Sequence, residues 1–323
     1  GCVCLVWKLI SSLLRVHGGV SEKQILYVNF ITTLLFAVHP INVEAVAWIS
    51  ALKVLLYAFF YLLGLLCYLR YIRTSKIFYY VLTIGCFLCS FWGKEQAVTF
   101  PLALLIVDWF TNRNMKNLEV WSEKMSFLIM AFFFGIITVL SQGKGPYEMI
   151  FPLYQRLLFG CFALVEYITK SLLPVNLNFF YPFPIVLGEE PPLHYYLYPV
   201  VLLFLMGWII AYRNNRYLVF GVLLFLVNLL FSIHLFNMSR HAIVADRYMY
   251  LSYVGIAFLI ANGIWWLRKR LSYFKAALVF LFFYCFFLSV YTFHYTKKWE
   301  NTTMVKKYTK EVLEKRLNGS NHL

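Results

Sequence analysis

The chain has 323 residues, of which 62% are hydrophobic, 20% aromatic and 13% charged, with a mean hydropathy of +0.70. This composition excludes a water-soluble domain, because too few polar residues remain to cover a core. The net charge of +15 would suggest nucleic acid in a soluble protein. Here the Lys and Arg residues lie in short loops between apolar segments, so they indicate membrane topology and no nucleic-acid partner.

Eleven apolar segments follow one another along the chain, several of them close to the ~20 residues that span a bilayer as a helix. Strand-like alternation is missing from them, which favours helices. The predicted segments are 2–16, 24–38, 46–69, 77–92, 96–110, 125–141, 157–173, 195–211, 217–236, 248–267 and 275–293. We therefore predict an all-α, polytopic membrane helical bundle with about 10–12 transmembrane segments.

Basic residues predict which loops face the cytoplasm. The basic loops are 70–76, 111–124, 212–216 and 268–275. Residues 39–44, 94–95, 143–156 and 240–247 then share the opposite side. Three apolar segments separate the second and third basic loops, whereas two loops on one side require an even number. Segment 157–173, which carries Glu166 and Lys170 four residues apart, is therefore predicted to be tilted or re-entrant.

The sequence contains no internal repeat and no sign of a second folded domain. All seven cysteines lie in or beside apolar segments without a spaced Cys/His set, which favours packing over disulfides or a metal site. The chain starts at Gly1 inside an apolar run, which predicts a missing N-terminal segment. Residues 1–296 are predicted to form the membrane core, and the charged residues 297–323 an amphipathic helix that leaves it.

The stretch HPINVEAVAWIS, residues 39–50, places polar side chains between two apolar segments. Pro40 suits the first position of a helix, and Glu44 then lies near a helix N-terminus that favours negative charge. One interpretation is that Glu44 caps this turn or pairs with Lys53. The other is that Glu44 and His39 line a functional site, since ionisable groups at membrane depth are costly and tend to face a cavity.

Two further stretches concentrate charge on the same predicted side. FWGKEQ holds Lys94 and Glu95 in a short turn, where a lysine can bind a phosphate unless the turn is merely solvated. Residues 237–251 are NMSRHAIVADRYMYL, with candidate site residues Arg240, His241, Asp246, Arg247 and Tyr248. Asp246 can simply cap the next helix and the tyrosines can belong to an interfacial belt. Cations and a carboxylate together also suit an anionic head group and proton transfer.

The chain resembles the TMTC-type transmembrane family and its bacterial relatives in three stretches, which follow one another in the same order as in the family. They are HPINVEAVAWIS, KEQAVTFPLALLIVDWF and VADRYMYLSYVGIAFLIA, and the ending YTFHYTKKWEN is similar to the family's exit from its last helix, where a TPR array begins. The resemblance implies a GT-C glycosyltransferase fold. It also implies inverting protein O-mannosylation on the extracytoplasmic side, with a polyprenyl- or dolichyl-phosphate sugar as donor and a Ser/Thr protein acceptor.

In that scheme Lys94, Arg240 and Arg247 are candidates for the donor phosphate, and Glu44 and His39 are candidate catalytic residues. Glu95, Asp246, His241 and Tyr248 are expected to support them. No metal ligand or cofactor is predicted, and the need for a divalent metal stays open. The family's acidic first loop is expected upstream of Gly1, because no aspartate precedes Asp108, and Val54 stands where relatives often carry an acid.

Two other functions fit the same features. A transporter or flippase for an anionic lipid-linked substrate would also need basic cavities and bent helices. A non-catalytic membrane scaffold of glycosylation would need no acidic first loop. Acidic residues at successive depths within the segments would favour transport, whereas here the acidic residues cluster at one predicted face of the membrane, which favours the transferase. The predicted location is the inner membrane in a bacterium and the endoplasmic reticulum in a eukaryote.

Overall fold

The computed structural model describes residues 1–141, 151–235 and 242–320. Across these ranges the chain forms thirteen α-helices, short 3₁₀ turns and no β-strand, apart from one isolated bridge between Tyr181 and Val244. The helices are α1 (Cys2–His17), α2 (Glu22–Val38), α3 (Val43–Ala47), α4 (Leu52–Thr74), α5 (Ile77–Gly93), α6 (Phe100–Phe110), α7 (Leu118–Ser141), α8 (Leu153–Leu172), α9 (Leu197–Ala211), α10 (Arg216–Leu229), α11 (Met249–Trp266), α12 (Leu271–Lys297) and α13 (Thr302–Ser320). The all-α, multi-pass membrane fold is confirmed.

Five segments among the described residues are long and apolar enough to cross a bilayer. They are Ile49–Thr74, Leu118–Thr138, Leu193–Ala211, Asp246–Lys269 and Leu271–Lys297. A sixth arises if Glu22–Val38 and Pro40–Ala47, which meet at a bend of 54°, count as one broken span. This number lies below the 10–12 expected, because helices such as α5 and α10 have only 17 and 14 residues.

Helix α8 covers the segment for which we expected a tilted or re-entrant path. It has 20 residues but is not among the candidate spans, and its sequence carries Arg156, Glu166 and Lys170. Its neighbours α7 and α9 both contain candidate spans. An even number of crossings between the second and third basic loops is therefore compatible with this fold.

Close backbone contact holds α10 against α11 in the core. A Cβ atom built on Gly255 would lie 2.5 Å from the carbonyl oxygen of Gly221 and 2.7 Å from the nitrogen of Phe225. Small residues at helix contacts allow such an approach, which maximises dispersion contacts in a membrane protein. By contrast, α9 has no buried residue, and much of α12 is exposed apolar surface, as expected for helices that face lipid.

Charged residues from α6, α7 and the loop between them meet near the C-terminal end of α4. Asp108 and Lys124 are both fully buried and form an ion pair, and Tyr68 donates a hydrogen bond of 2.8 Å to each carboxylate oxygen of Asp108. Arg113 Nη1 lies 3.2 Å from Asp108 Oδ1 and 2.7 Å from Glu123 Oε2. We call Tyr68, Asp108, Arg113, Glu123 and Lys124 the anchor cluster.

The anchor cluster lies at the end of the bundle where the basic loops meet. Arg216 Nη1 donates to the carbonyl oxygen of Trp109 at 3.1 Å and also to Asn112 Oδ1, and the second of these bonds joins the second and third basic loops. The third and fourth basic loops border one cavity, which is lined by Tyr212, Asn215, Arg268 and Lys269. The predicted segregation of basic loops to one end therefore has a structural counterpart in these contacts.

Candidate functional site

A break between α2 and α3 positions Glu44. His39 has an extended backbone (φ −74°, ψ 126°), and its ring Nδ1 accepts a hydrogen bond of 3.2 Å from the N–H of Ile41. Pro40 begins the following 3₁₀ turn, where its missing N–H costs nothing. Asn42 Nδ2 donates to the carbonyl oxygen of Phe36 at 2.8 Å and so ties the turn to the end of α2. Glu44 consequently lies in the first turn of α3.

Glu44 is fully buried and is bound by Arg247, 203 residues further along the chain. The N–H of Arg247 donates to Glu44 Oε2 at 2.7 Å, and Nη1 of the same arginine forms an ion pair with Oε1. The partner is therefore Arg247, where the sequence had suggested Lys53. The Arg247 side chain remains 22% exposed. Since a guanidinium has five N–H donors, it can hold a further anion beside Glu44.

The neighbouring residue, Asp246, forms a second buried ion pair. Lys170 Nζ lies 3.2 Å from Asp246 Oδ1 and 3.7 Å from Glu166 Oε1. The hydroxyl of Tyr181 donates to both Asp246 oxygens at 3.0 Å, and Lys170 Nζ lies 3.4 Å from the centroid of the same ring. Asp246 is fully buried, so these donors replace the water it has lost.

The turn that carries Asp246 is held by α8 and by the backbone of Tyr181. The backbone N–H of Ala245 donates to the hydroxyl of Tyr167 at 3.1 Å, and the N–H of Ile243 donates to the carbonyl oxygen of Tyr181 at 2.9 Å. Consecutive residues 246 and 247 thereby reach two different partners, Lys170 and Glu44. The turn links both ion pairs into one rigid unit.

Lys94 joins this unit through Tyr248. A Cβ atom on Gly93 would lie 2.7 Å from the backbone nitrogen of Tyr57, so the end of α5 packs tightly against α4 just before Lys94. Lys94 is 5% exposed, and its Nζ lies 4.4 Å from the centroid of the Tyr248 ring. The guanidinium carbon of Arg247 lies 5.3 Å from the same centroid. Both distances are within reach of cation–π attraction.

We call Glu44, Lys94, Lys170, Asp246 and Arg247 the site cluster. The other residues that the sequence analysis named as candidate site residues lie outside this cluster. Tyr248 contacts both Lys94 and Arg247 through its ring. Glu95 is half-buried at the start of a 3₁₀ turn, and the His39 ring packs on Tyr253 with centroids 4.2 Å apart. Arg240 and His241 lie outside the described residues. In the ranges that the structure describes, no group of three or more His, Cys, Asp or Glu side chains is arranged to hold a metal.

An aromatic wall borders the site cluster. The guanidinium carbon of Arg247 lies 5.5 Å from the Trp48 ring centroid. Trp48 in turn packs edge-on against Phe179 at 5.1 Å and lies 6.5 Å from Trp299. These rings line one side of a cavity of about 1020 Å³ between α3, the loop after α8 and the junction of α12 with α13.

Sequence reasoning missed the roles of Lys170 and Tyr181. Glu166 and Lys170 were noticed as a helical pair, but the pairing of Lys170 with Asp246 spans 76 residues and needs the tertiary fold. A lysine inside an otherwise apolar helix was the available signal, because a buried ammonium requires a partner. For Tyr181 the sequence holds no comparable signal, since its loop is rich in proline and aromatic residues throughout.

Fold and site together define a multi-pass helical membrane protein with a buried ion-pair cluster at helix breaks. Parts of the chain are similar to Protein O-mannosyl-transferase TMTC2 of Mus musculus, with 36% identity over 101 residues, which cover 29% of this chain and 12% of the relative. The Xenopus laevis tmtc2 protein is 31% identical over 123 residues, which cover 36% of this chain and 14% of the relative. Protein O-mannosyl-transferase Tmtc3 of Drosophila melanogaster is 26% identical over 137 residues, which cover 36% and 15%.

The chain spans well under two thirds of these curated relatives, since the matched parts cover 12% to 15% of their length. No family model matches the sequence. No solved structure matches it either. The comparisons thus show a partial likeness to TMTC-type proteins.

Proposed function

We propose that this chain is the membrane core of a glycosyltransferase that moves a mannose-like sugar from a polyprenyl- or dolichyl-phosphate donor to a Ser or Thr hydroxyl of a protein. The partial likeness to proteins named O-mannosyl-transferases supports the reaction class. Transfer takes place on the membrane side away from the basic loops, which is the lumen of the endoplasmic reticulum in a eukaryote. A GT-C arrangement of the helices is part of the proposal.

The observation that carries the proposal is the position of two cations around Tyr248. Lys94 and Arg247 lie against the same ring, and Arg247 is oriented by a fully buried Glu44. Two cations held within one site can bind a phosphate, and guanidinium groups favour phosphates geometrically. Because Arg247 keeps partial exposure, its remaining N–H groups can reach the phosphate of a donor whose lipid tail stays in the bilayer.

The reaction then balances as follows. The acceptor hydroxyl oxygen attacks C1 of the sugar, the bond between C1 and the phosphate oxygen breaks, and the electron pair leaves with the polyprenyl phosphate. Arg247 and Lys94 stabilise the negative charge that develops on that phosphate. The hydroxyl proton passes to a carboxylate. We assign this carboxylate to Glu44. Its Oε1 can accept the proton as Arg247 Nη1 shifts towards the phosphate, while the backbone N–H of Arg247 stays on Oε2.

Sugar transfer by the full-length protein in membranes tests this function. With a labelled polyprenyl-phosphate mannose donor, we expect Glu44→Gln and Lys94→Ala each to lower transfer about 100- to 1000-fold, the range seen when one charge-stabilising donor is lost. Glu22→Gln and Lys53→Ala are matched controls with exposed side chains and should stay within about twofold.

Full activity of both site variants would overturn the assignment. Movement of the intact lipid-linked sugar across the bilayer, without transfer to protein, would instead indicate the transporter. Protein yield and helical circular dichroism of each variant show whether a loss of activity reflects misfolding.

A further inference from the structure

The cavity beside the aromatic wall has the features of a polypeptide-binding site. Its volume of about 1020 Å³ lies at the upper end of the roughly 300–1,000 Å³ that small-ligand sites occupy, so it exceeds what one sugar ring requires. Aromatic rings and polar side chains face it together. A surface of this kind offers apolar area and hydrogen bonds at low entropic cost.

Polar groups on the far wall come from the start of α13 and the residues before it. Asn301 and Thr302 line the cavity, and so does Thr309, whose Oγ1 is buried without a hydrogen-bond partner among the described residues. A buried hydroxyl without a partner costs free energy that a bound polar ligand can recover. The wall therefore provides hydrogen-bonding positions for a peptide backbone or hydroxyl.

The charge of the cavity selects among ligands. Lys306 and Lys310 face it from one side of α13, and the acidic residue among its lining side chains is Glu300. An excess of lysines attracts an acidic segment, and this attraction is screened by salt. Lys307, the next residue, is exposed and does not line the cavity. Lys306 and Lys307 are thus adjacent residues of the same type, of which only Lys306 lines the cavity.

Trp48 connects this cavity to the site cluster. The same ring lines the cavity and lies 5.5 Å from the guanidinium carbon of Arg247. A chain bound along the aromatic wall would therefore present a side chain next to the cation assigned to the donor phosphate. We propose that the cavity binds the acceptor as an extended, hydroxyl-bearing peptide segment with acidic flanking residues; this inference rests on the proposed function and names its acceptor site.

Peptide binding in the absence of any donor tests the inference separately from catalysis. The probe is a fluorescein-labelled twelve-residue peptide that contains Ser and Thr between glutamates, titrated against the full-length protein in detergent and followed by anisotropy. We expect binding that weakens in high salt. Lys306→Glu should weaken it about fivefold or more, as reversal of a partly exposed charge does, whereas Lys307→Glu should not change it.

A second pair of variants tests the aromatic wall. Trp299→Ala should weaken peptide binding about tenfold, because tryptophans in such walls are energetic anchors. Trp92→Ala is the matched control, since Trp92 is 84% exposed and does not line the cavity. Helical circular dichroism and elution volume confirm that each variant is folded.

Three results would overturn the inference. One is the absence of peptide binding by a protein that still transfers sugar, which would leave the proposed function intact. Another is equal weakening by Lys306→Glu and Lys307→Glu. The third is displacement of the peptide by vesicles that contain polyprenyl phosphate, with the Lys306 variant losing vesicle binding, which would assign the cavity to the lipid. Peptide binding that follows the expected variants without any sugar transfer would retain the site and reject the transferase.

Discussion

The two ion-pair clusters lie at opposite ends of α4 and are built in different ways. In the anchor cluster, Tyr68, Asp108 and Lys124 all project from the interior of regular helices. In the site cluster, Lys94 and Arg247 lie in or beside 3₁₀ turns, and Glu44 is the second residue of a five-residue helix that follows a bend. Gly93, just before Lys94, lies against Lys53 near the start of α4, which is 15 residues, or about 22 Å, before Tyr68.

This difference indicates what each cluster is for. Irregular backbone at membrane depth leaves N–H and C=O groups without helical partners, so it persists where the groups are buried in protein or face a cavity. The buried pair of the anchor cluster needs no such break, since the faces of α6 and α7 bring Asp108 and Lys124 together and Arg113 is added from the loop between these helices. In the site cluster, the regular helices are interrupted where Glu44 and Arg247 form their ion pair, next to a cavity. We therefore expect loss of the anchor cluster to cost mainly stability and loss of the site cluster to cost mainly activity.

The largest effect on stability should come from Lys124→Met. Lys124 and Asp108 are both fully buried, and removal of one partner leaves an uncompensated carboxylate that Arg113 only partly neutralises. We expect the free energy of unfolding to fall by about 3–5 kcal/mol, as for other broken buried ion pairs. Unfolding in mixed detergent micelles, titrated with sodium dodecyl sulfate, measures the change.

Two variants sharpen this experiment. Lys116→Met removes an exposed lysine from the same basic loop and should have little effect. The double variant Asp108→Leu with Lys124→Met removes both charges, and should recover much of the lost stability. A double variant no more stable than Lys124→Met would mean that packing, and not the unpaired charge, causes the loss.

The sequence predicted the class of fold but only part of its charged architecture. The apolar segments predicted a helical membrane bundle directly, because the length and apolar composition of each segment indicate by themselves that it lies in a membrane. Ion pairs depend on residues far apart, so Lys53 was considered for Glu44, whereas the structure pairs Glu44 with Arg247. Likewise, Asp108 is fully buried against Lys124, which lies 16 residues further along the chain. Pairing across the chain leaves no local pattern to recognise.

An intermediate effect, on activity, should follow Arg247→Lys. The substitution keeps the charge but removes the guanidinium, which alone can bind Glu44 and a phosphate through separate N–H groups. We expect kcat/KM for the donor to fall about 10- to 100-fold, through a higher KM for the donor and a lower kcat, because one charge-assisted hydrogen bond to the phosphate is worth about 1.5–3 kcal/mol. Initial rates at varied donor concentration measure this.

Arg216→Lys is the matched control, taken from the end of the bundle that holds the anchor cluster. Arg216 also stacks on a tryptophan, with its guanidinium carbon 5.4 Å from the Trp109 ring centroid, compared with 5.5 Å between Arg247 and Trp48. It should leave KM for the donor unchanged. If both variants raised KM equally, the distinction between the two ends would not hold.

The smallest effect should come from Tyr181→Phe, which removes the hydroxyl that donates to Asp246 but leaves Lys170 in place. We expect a loss of about 1–2 kcal/mol in the free energy of unfolding. Burial, and then the negative charge of Asp246, raise the pKa of Tyr181 well above its ordinary value. The native state therefore keeps this proton when the unfolded chain loses it. The stability that Tyr181 contributes is fully present below about pH 10 and declines as the pH rises further.

Unfolding of both proteins at pH 8 and pH 10.5 checks this dependence. The advantage of the unsubstituted protein over Tyr181→Phe should shrink at the higher pH, because only the former has this tyrosine to ionise when unfolded. Tyr196→Phe is the control, since its side chain is 43% exposed and should show no such change. An advantage that stays constant with pH would mean that Tyr181 acts by packing alone, and that Lys170 suffices to hold Asp246 in the site cluster.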